Sequence, residues 1–235
     1  MTDTPNLNLA LIDPAQAQKH ITVNEVIARL DCLVAGSVNT SGQTTPPAIV
    51  DGEAHIIGAG ASGAWTGHDQ EIAFAINGGW SFYVAQTGWQ VWSLESHQWL
   101  FFGGAVWVPQ VVACSPGSAV TAQRVLEFDH VLSAAASSTS DEMIPDKAIV
   151  FGISARVIAP IDGAASWSLG VPGNPDRYGS GFGTSLNSSG EGVTGQPLAY
   201  YGGTPVVITA QGGSFTSGTL RIAVHYQSIS APRPV

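Results

Sequence analysis

The sequence predicts a mainly β protein with one N-terminal helix, a small Trp-rich β meander domain, and then an antiparallel β-sandwich of jelly-roll-like type. One helical pattern occurs near the N-terminus, and short runs of β-branched and aromatic residues recur through the rest. Tryptophan becomes rare after residue 114, where β-branched runs take over. We therefore predict two domains, residues 1–114 and residues 115–235.

The helix is predicted over "TVNEVIARLDCLVAGS", because Thr22 and Glu25 form a capping box and Gly36 marks an end. A further helical turn is predicted before it, with Asp13 as the cap. The apolar residues follow the helical period and form one stripe: Val23, Val26, Ile27, Leu30, Leu33 and Val34. This stripe needs a partner, either a sheet of its own domain or copies of itself in an oligomer, and the sequence leaves both open.

Residues 39–54 are predicted to form a loop, because Gly, Pro, Ser and Thr dominate them. Six short strand-like runs follow, separated by turns such as Asn77-Gly78-Gly79, and they predict a meander of hairpins. The runs are "AHIIGA", "EIAFAI", "WSFYVA", "WQVWSL", "WLFFGG" and "AVWVPQ".

Residues 113–120, "ACSPGSAV", are interpreted as a linker between the two domains. Beyond them, four β-branched runs predict the strands of the sandwich. These runs are "RVLEFDHVL", "KAIVFGISARVIA", "PVVITA" and "TLRIAVHYQSI". The Gly- and Ser-rich residues 170–204 are predicted as long loops at one end of it.

Charge and cysteine content exclude several classes of function. The net charge is −9 and no basic cluster occurs, so we expect no direct role in binding nucleic acid. No signal-peptide pattern and no run long enough to span a membrane is present, which predicts a chain made in the cytoplasm without membrane insertion. Cys32 and Cys114 are predicted to be buried free thiols.

No motif for catalysis, metal binding or a cofactor emerges, and we expect the protein not to be an enzyme. The acids are scattered, and the pair Asp69 and Glu71, which share a strand face by their spacing, follows a Gly-rich turn where solvated acids are common. The six histidines lack metal-ligand spacing, and Ser185 lacks the context of a nucleophile elbow. Gly58–Gly63 resembles a dinucleotide fingerprint but lacks the helix that must follow.

Five of the seven tryptophans lie between residues 76 and 109. Trp65, Trp80, Trp89 and Trp107 are predicted to fill a core that is poor in Leu and Ile. Trp92 and Trp99 flank the polar turn "SLESHQ", and we expect them to be less buried and available to stack on sugar rings.

A second candidate carbohydrate site lies in the loops of the C-terminal half. Asp176, Arg177 and Tyr178 place an acid, a guanidinium and an aromatic ring together at a predicted loop tip, and loops on a rigid scaffold commonly carry recognition. Tyr200 and Tyr201 form another aromatic patch beside two glycines. The alternative for both is an ordinary turn at a contact between subunits.

Three segments in order resemble a family found in tailed phages and in phage-derived gene transfer agents, the domain of unknown function DUF2793. They are "PAQAQKHITVNE", "GAGASGAWTGHDQEIA" and "GGWSFYVAQTGWQVW", within a resemblance over roughly residues 9–110. The resemblance implies a virion component, a head spike or fibre protein, that attaches particles to host capsular polysaccharide. It implies synthesis in the bacterial cytoplasm and a final location on the particle surface.

From these observations we predict a phage-like virion protein that binds host polysaccharide as a homo-oligomer, a trimer or a pentamer. The helical N-terminal part would attach it to other virion proteins, at a capsid vertex or spike base, and residues 115–235 would bind the receptor. Two alternatives remain open. One is a structural adaptor that joins a vertex or baseplate to another fibre protein, and the other is a polysaccharide-degrading spike enzyme.

Overall fold

A computed structural model describes residues 4–7, 9–11 and 19–232 of the chain. The chain divides into two compact units, Met1–Val111 and Val112–Val235. The sequence had placed this boundary after residue 114, three residues later. The functional roles assigned to the two halves stay predictions.

Helix α1 spans Lys19–Ala35 and is the one predicted helix that falls within the described residues. It begins before Thr22, so the prediction that Thr22 caps its N-terminus is wrong. Gly36 ends the helix as predicted, with a φ of 61° and its amide N–H donating to the Cys32 carbonyl at 3.2 Å. The helical turn predicted at Asp13 lies outside the described residues.

The apolar stripe of α1 is exposed, and the small face of the helix is buried. Ala28, Asp31 and Cys32 are buried, whereas four larger apolar side chains are exposed. The exposed side chains are Val23, Val26, Leu30 and Val34. Leu33 packs against the buried cluster of the sheets of unit 1, but the described part of the chain leaves most of the stripe uncovered.

Asp31 ties the N-terminal segment to this helix. Its carboxylate accepts hydrogen bonds from the Thr4 hydroxyl at 2.6 Å and from the backbone amides of Asn6 and Leu7 at 3.1 and 2.6 Å. A fully buried carboxylate requires such donors, because burial without them is costly. The buried face of α1 therefore carries a specific polar anchor. Beside it, burial and the nearby charge of Asp31 raise the pKa of the Cys32 thiol to about 12.

Unit 1 contains two four-stranded sheets, with orders β1-β6-β7-β8 and β2-β3-β4-β5. The strands of the first are β1 Ser37–Val38, β6 Gln90–Ser93, β7 Gln98–Phe102 and β8 Trp107–Pro109. Those of the second are β2 Thr40–Gln43, β3 Ala54–Ile57, β4 Ile72–Ile76 and β5 Gly79–Tyr83. A short 3-10 turn, Gly63–Trp65, lies between β3 and β4.

All six strand-like runs predicted between residues 54 and 109 are strands, but they form two separate three-stranded meanders. Each meander gains a short strand that pairs in parallel, β1 beside β6 and β2 beside β3. The prediction that residues 39–54 are entirely loop is therefore wrong over β2. Its sequence, Thr-Ser-Gly-Gln, has no hydrophobic alternation, and the strand exists because β3 offers an unpaired edge.

Of the four tryptophans predicted to fill the core of unit 1, Trp65 lies fully within it and the other three pack against it while half-buried. Trp65 is fully buried, and its ring meets the half-buried Trp80 edge-on at 5.3 Å, with His55 5.7 Å from Trp65. Trp89 and Trp107 are half-buried and pack against a neighbouring cluster around Phe74 and Leu100. The interior of unit 1 thus combines one fully buried indole with aliphatic side chains such as Ile57 and Ile72, and the half-buried tryptophans pack against it.

Unit 2 is a sandwich of a five-stranded sheet, β14-β12-β16-β10-β9, and a three-stranded sheet, β11-β15-β13. The larger sheet contains β9 Val111–Cys114, β10 Val120–Val131, β12 Ile149–Asp162, β14 Ser189–Ala199 and β16 Ser217–Ser230. The smaller contains β11 Ser137–Ile144, β13 Ser166–Gly170 and β15 Thr204–Gln211. From β10 to β16 each connection crosses between the sheets, and the predicted mainly β, sandwich fold is confirmed.

Two details of the prediction for this half are wrong. Residues 113–120 are the end of β9 and a tight turn, in which the Ser115 amide donates to the Ala119 carbonyl at 2.9 Å, and not a linker. β14 lies within the predicted long loop at residues 170–204. Its buried positions include Gly190 and Gly192, where a Cβ would collide with the Phe182 ring and the Tyr178 carbonyl. Close approach explains a strand whose composition is typical of loops.

The sandwich core is continuous between the two sheets. Trp167, Leu169, Phe215 and Leu220 are fully buried within it. The Trp167 indole N–H donates to the Gly183 carbonyl at 2.9 Å, so the largest side chain of the core is also satisfied in its hydrogen bonding. Of the two thiols, Cys32 is buried as predicted, whereas Cys114 is partly exposed; both are free.

We expect stability to fall at acid pH, because burial lowers the pKa of His55 and of His130 below the ordinary value of 6.5. Glu53 and Asp141 oppose the effect at the two sites, but burial is the larger cause. Each folded-state histidine binds fewer protons than its unfolded counterpart, so the free energy of unfolding decreases as the pH falls below about 6.5 and through the lowered values.

Chemical denaturation of the full chain at a series of pH values from about 7 to about 5 measures this effect. His55→Gln and His130→Gln together should flatten the profile, and His97→Asn, at an exposed turn, serves as the control. An equally steep profile in the double variant would show that these two imidazoles do not set the acid sensitivity.

Candidate functional site

Four of the residues predicted to bind carbohydrate lie on two surfaces, and they are Trp92, Trp99, Arg177 and Tyr201. The first, here called the tryptophan face, is formed by Trp92, Trp99 and Phe101 on the sheet of β6 and β7 in unit 1. The second, the tyrosine groove, is lined in unit 2 by residues that include Arg177 and Tyr201.

Strand alternation turns Trp92 and Trp99 outward. Their neighbours Val91, Ser93 and Leu100 are buried, so the tryptophans occupy the opposite face of the pleat. The two rings lie directly across the β6–β7 pair and meet edge-on, with centroids 5.5 Å apart. Trp99 is 53% exposed, so the expectation that it is less buried than the other tryptophans of unit 1 is confirmed for this residue. Trp92 is half-buried, as Trp80, Trp89 and Trp107 are, so the same expectation is wrong for Trp92.

The tryptophan face continues along the same strands. Gln90 lies opposite Phe101, and Phe101 lies opposite Val108 on β8, which places these side chains on the same side of the sheet. The turn between β6 and β7 is fixed by the Ser93 hydroxyl, which accepts hydrogen bonds from the Ser96 backbone amide at 3.2 Å and pairs with its hydroxyl at 2.8 Å. The face therefore combines two indole rings inclined at 74° to each other with the Phe101 ring, and it has an exposed amide, that of Gln90, at its edge.

Tyr178 does not lie at an exposed loop tip, and that prediction is wrong. Its ring is buried in the sandwich core, and its hydroxyl lies 2.8 Å from the hydroxyl of the buried Tyr200. Burial, followed by the contact with Tyr200, raises the pKa of Tyr178, whereas the guanidinium of Arg177 opposes the rise. Neither ring is available as a stacking surface for a sugar.

Tyr201 and Arg177, the chain neighbours of these two tyrosines, do reach the surface. Tyr201 is 81% exposed. The Arg177 guanidinium lies 5.9 Å from the Tyr178 ring centroid and donates through Nη2 to the Gln196 carbonyl at 3.0 Å. Its Nε is buried and has no hydrogen-bond partner within the described residues. Asp176 is exposed at the adjacent turn, and its predicted role in ligand binding stays a prediction.

The tyrosine groove has a volume of about 730 Å³. Its lining combines polar and apolar groups: Asn174, Arg177, Leu198, Tyr200, Tyr201 and Pro205 are among them. Gly170 allows the turn that carries Asn174 to pack closely against β13, because a Cβ on Gly170 would overlap the backbone of Asn174 and Pro175. Sequence spacing had suggested each half of this site, but not that Arg177 and Tyr201 share one groove.

Asp69 and Glu71 do not form a catalytic pair on a strand. Both precede β4, and the prediction that they share a strand face is wrong. Asp69 accepts the backbone amides of Gly60 and Ala61 at 2.8 and 3.0 Å, which lowers its pKa, and Glu71 is 2.9 Å from the His68 Nδ1. These acids therefore organise the loop, and the alternative of a polysaccharide-degrading enzyme gains no support from them.

One polar contact of unit 2 has no signal in the sequence pattern. The Ser154 hydroxyl lies 3.0 Å from Nε2 of His225 on the outer face of the larger sheet of unit 2, and Glu191 lies opposite Ser154. The two residues are 71 positions apart, and strand pairing alone brings them together. Over residues 4–7, 9–11 and 19–232, no group of three His, Cys, Asp or Glu side chains is placed to hold a metal ion.

Comparison with known proteins gives a partial match. Residues 23–108 match the model of a family described as protein of unknown function, DUF2793. The match confirms the predicted resemblance for that segment, which contains the whole tryptophan face. No curated protein matches the chain. Within the described ranges, no helix has both the length and the apolar character that spanning a membrane requires.

Two solved structures show limited similarity. A chain of the cyanophage Pam1 capsid asymmetric unit is 23% identical, with 46% of this chain and 84% of that chain covered and a TM-score of 0.33. A chain from a Bacillus endospore appendage structure, described as a novel family of disulfide-linked pili, is 16% identical, with 50% and 96% covered and a TM-score of 0.20.

Proposed function

We propose that this protein is a structural component of a phage-like particle, of the head spike or fibre kind, that attaches the particle to polysaccharide on the host surface. The phage and gene transfer agent setting is supported by the DUF2793 resemblance over residues 23–108. The attachment role is supported by one observation above others, the exposed Trp99 ring held edge-on against the half-buried Trp92.

The tryptophan pair suits a capsular polysaccharide for physical reasons. An exposed indole presents a flat apolar surface to water, and the C–H face of a pyranose ring can cover it. Trp92 supports the edge of Trp99, so the platform is held in place before the sugar arrives and little ordering entropy is lost on binding. One such platform binds weakly, and repetition in a homo-oligomer would raise the avidity.

Replacing Trp99 should weaken attachment to capsulated host cells. We expect Trp99→Ala to reduce binding of the full chain roughly two- to twelvefold, from an aromatic contribution of about 0.5–1.5 kcal/mol per site. Binding to capsulated and capsule-free cells by flow cytometry measures it. Val84→Ala, at another exposed apolar position in unit 1, is the matched control. Equal binding by the wild type and Trp99→Ala would contradict a role for this platform.

A second candidate function, a structural adaptor between a capsid vertex or baseplate and another fibre protein, is favoured by the exposed stripe of α1. Val26, Leu30 and Val34 are 54%, 47% and 66% exposed, whereas the smaller Ala28 and Cys32 are buried. A soluble helix normally shows the reverse arrangement, because burying apolar area contributes about 25 cal/mol per Å². The stripe therefore supports a protein partner for α1, whether a copy of the chain or another virion protein.

Placing charged side chains on the stripe of α1 should show whether its partner is a copy of the chain or another protein. We expect the wild-type chain to be a trimer or a pentamer in solution and Leu30→Lys/Val34→Lys to be a monomer, because the substitutions place charges in an apolar interface. Light scattering after size-exclusion chromatography gives the mass. Glu25→Lys, an exposed change on the same helix, controls for altered charge. A monomeric wild type would contradict self-association and would favour the adaptor function.

A further inference from the structure

We propose that the tyrosine groove of unit 2 is a binding site for a carboxylate-bearing sugar, such as a uronic acid residue of an acidic polysaccharide. The proposal concerns a different surface from the tryptophan face, and it can hold even where Trp92 and Trp99 bind nothing. It rests on the charge of Arg177, on the exposed ring of Tyr201 and on the polar groups between them.

Arg177 carries a positive charge that the protein does not neutralise. The chain has 17 acids and 8 Lys and Arg residues. Some of its cations have acidic partners, as Arg221 has in Asp129 at 2.7 and 2.9 Å, whereas Arg156, like Arg177, is bonded to a backbone carbonyl. Arg177 differs from Arg156 in lying in the same groove as the exposed Tyr201 ring. Among the described residues, Arg177 has no carboxylate within 4.0 Å and is held instead by the neutral carbonyl of Gln196. A carboxylate ligand would supply the missing counter-charge, and a guanidinium fork matches its geometry.

Tyr201 supplies the stacking surface that a sugar ring needs. Its side chain is among the most exposed of the large side chains in the described chain, and it lies in the same groove as Arg177. Leu198 is exposed and Pro205 is half-exposed, and they add apolar surface to the groove wall. A ring with one polar edge and one C–H face fits such a combination better than a small inorganic anion does.

Asn174 adds a hydrogen-bonding group for sugar hydroxyls. It lies in the groove at an exposed turn, and its side-chain amide makes no hydrogen bond to another described residue. An amide offers both donors and an acceptor, as a vicinal pair of hydroxyls requires. Together, the guanidinium, the amide and the phenol ring favour a saccharide unit that carries a carboxylate over a neutral sugar or a purely apolar ligand.

The site is held in shape before any ligand arrives. Arg177 is positioned by Gln196 and lies against the ring of Tyr178, which is itself locked by its hydroxyl contact with Tyr200. Asp146, which accepts the Gly202 amide beside Tyr201 at 2.7 Å and lies 3.8 Å from Lys147, makes no ion pair with Arg177. The charge of Arg177 therefore remains available for an incoming carboxylate.

The experiment titrates the ¹⁵N-labelled full chain with glucuronate and follows the Nε–Hε resonance of Arg177 and the Tyr201 backbone amide by NMR. Glucose, which lacks the carboxylate, tests whether binding needs the charge. Acetate, which lacks the sugar ring, tests whether binding needs the ring. Polyglutamate, compared with polyglucuronate, tests whether an acidic peptide binds as well as an acidic polysaccharide. We expect saturable shifts with glucuronate and binding about tenfold weaker, or more, for glucose and acetate. Polyglucuronate should bind more tightly than polyglutamate.

Variants assign the binding to the groove. Arg177→Gln should weaken glucuronate binding about tenfold or more, and Tyr201→Ala, whose exposed side chain is not needed for folding, should weaken glucuronate and glucose alike. Arg156→Gln is the matched control, because Arg156 is also exposed and bonded to a backbone carbonyl, that of Asn187 at 2.8 Å, but lies outside the groove.

Four outcomes would each overturn the proposal. They are the absence of saturable binding, equal binding of glucuronate and glucose, equal binding of glucuronate and acetate, and polyglutamate binding as tight as that of polyglucuronate. Unchanged binding by Tyr201→Ala, or an equal loss in Arg156→Gln, would overturn it as well. Because Trp99 lies outside unit 2, Trp99→Ala should leave this titration unchanged, which keeps a failure here distinct from a failure of the attachment function.

Discussion

The hydroxyl contact between Tyr178 and Tyr200 is the constraint on which the tyrosine groove depends. Two core phenols 22 residues apart meet at 2.8 Å because neither can be buried without a hydrogen-bond partner. With both rings pointing inward, the adjacent residues Arg177 and Tyr201 point toward solvent on the same side of unit 2. A contact that is entirely internal thereby assembles a surface that can recognise a ligand.

The same alternation of buried and exposed positions organises unit 1. Leu100 and Val91 fill the core, and this directs Trp99 and Trp92 outward on neighbouring strands. In helix α1 the small side chains are the buried ones. Ala28 and Cys32 are buried, and the larger apolar side chains of the helix are exposed. Each unit of the chain thus has aromatic or aliphatic surface that a partner could cover, and this surface is set by what the core accepts.

The sequence predicts those elements whose pattern is local. Strands β3 to β8 follow hydrophobic runs bounded by glycine turns. The polar turn between Trp92 and Trp99 suggests that these two side chains are exposed. β2 and β14 lack such a pattern, since pairing to a neighbouring edge and close approach at Gly192 create them. Tyr178 was predicted to be exposed because adjacency to Asp176 and Arg177 does not reveal which side chain the sandwich buries. The shared groove of Arg177 and Tyr201 arises from long-range pairing, which one sequence does not show.

Hydroxyl-radical footprinting of the full chain, free and with an acidic capsular polysaccharide, tests most directly the claim that core packing leaves two aromatic recognition surfaces exposed. In the free protein, Trp99 and Tyr201 should be oxidised rapidly, while the buried Trp65, Trp167 and Tyr178 should resist oxidation. Polysaccharide should protect Trp99 and Tyr201 and leave the buried residues unchanged. Slow oxidation of Trp99 and Tyr201 in the free chain, or the same rate with and without polysaccharide, would contradict the claim.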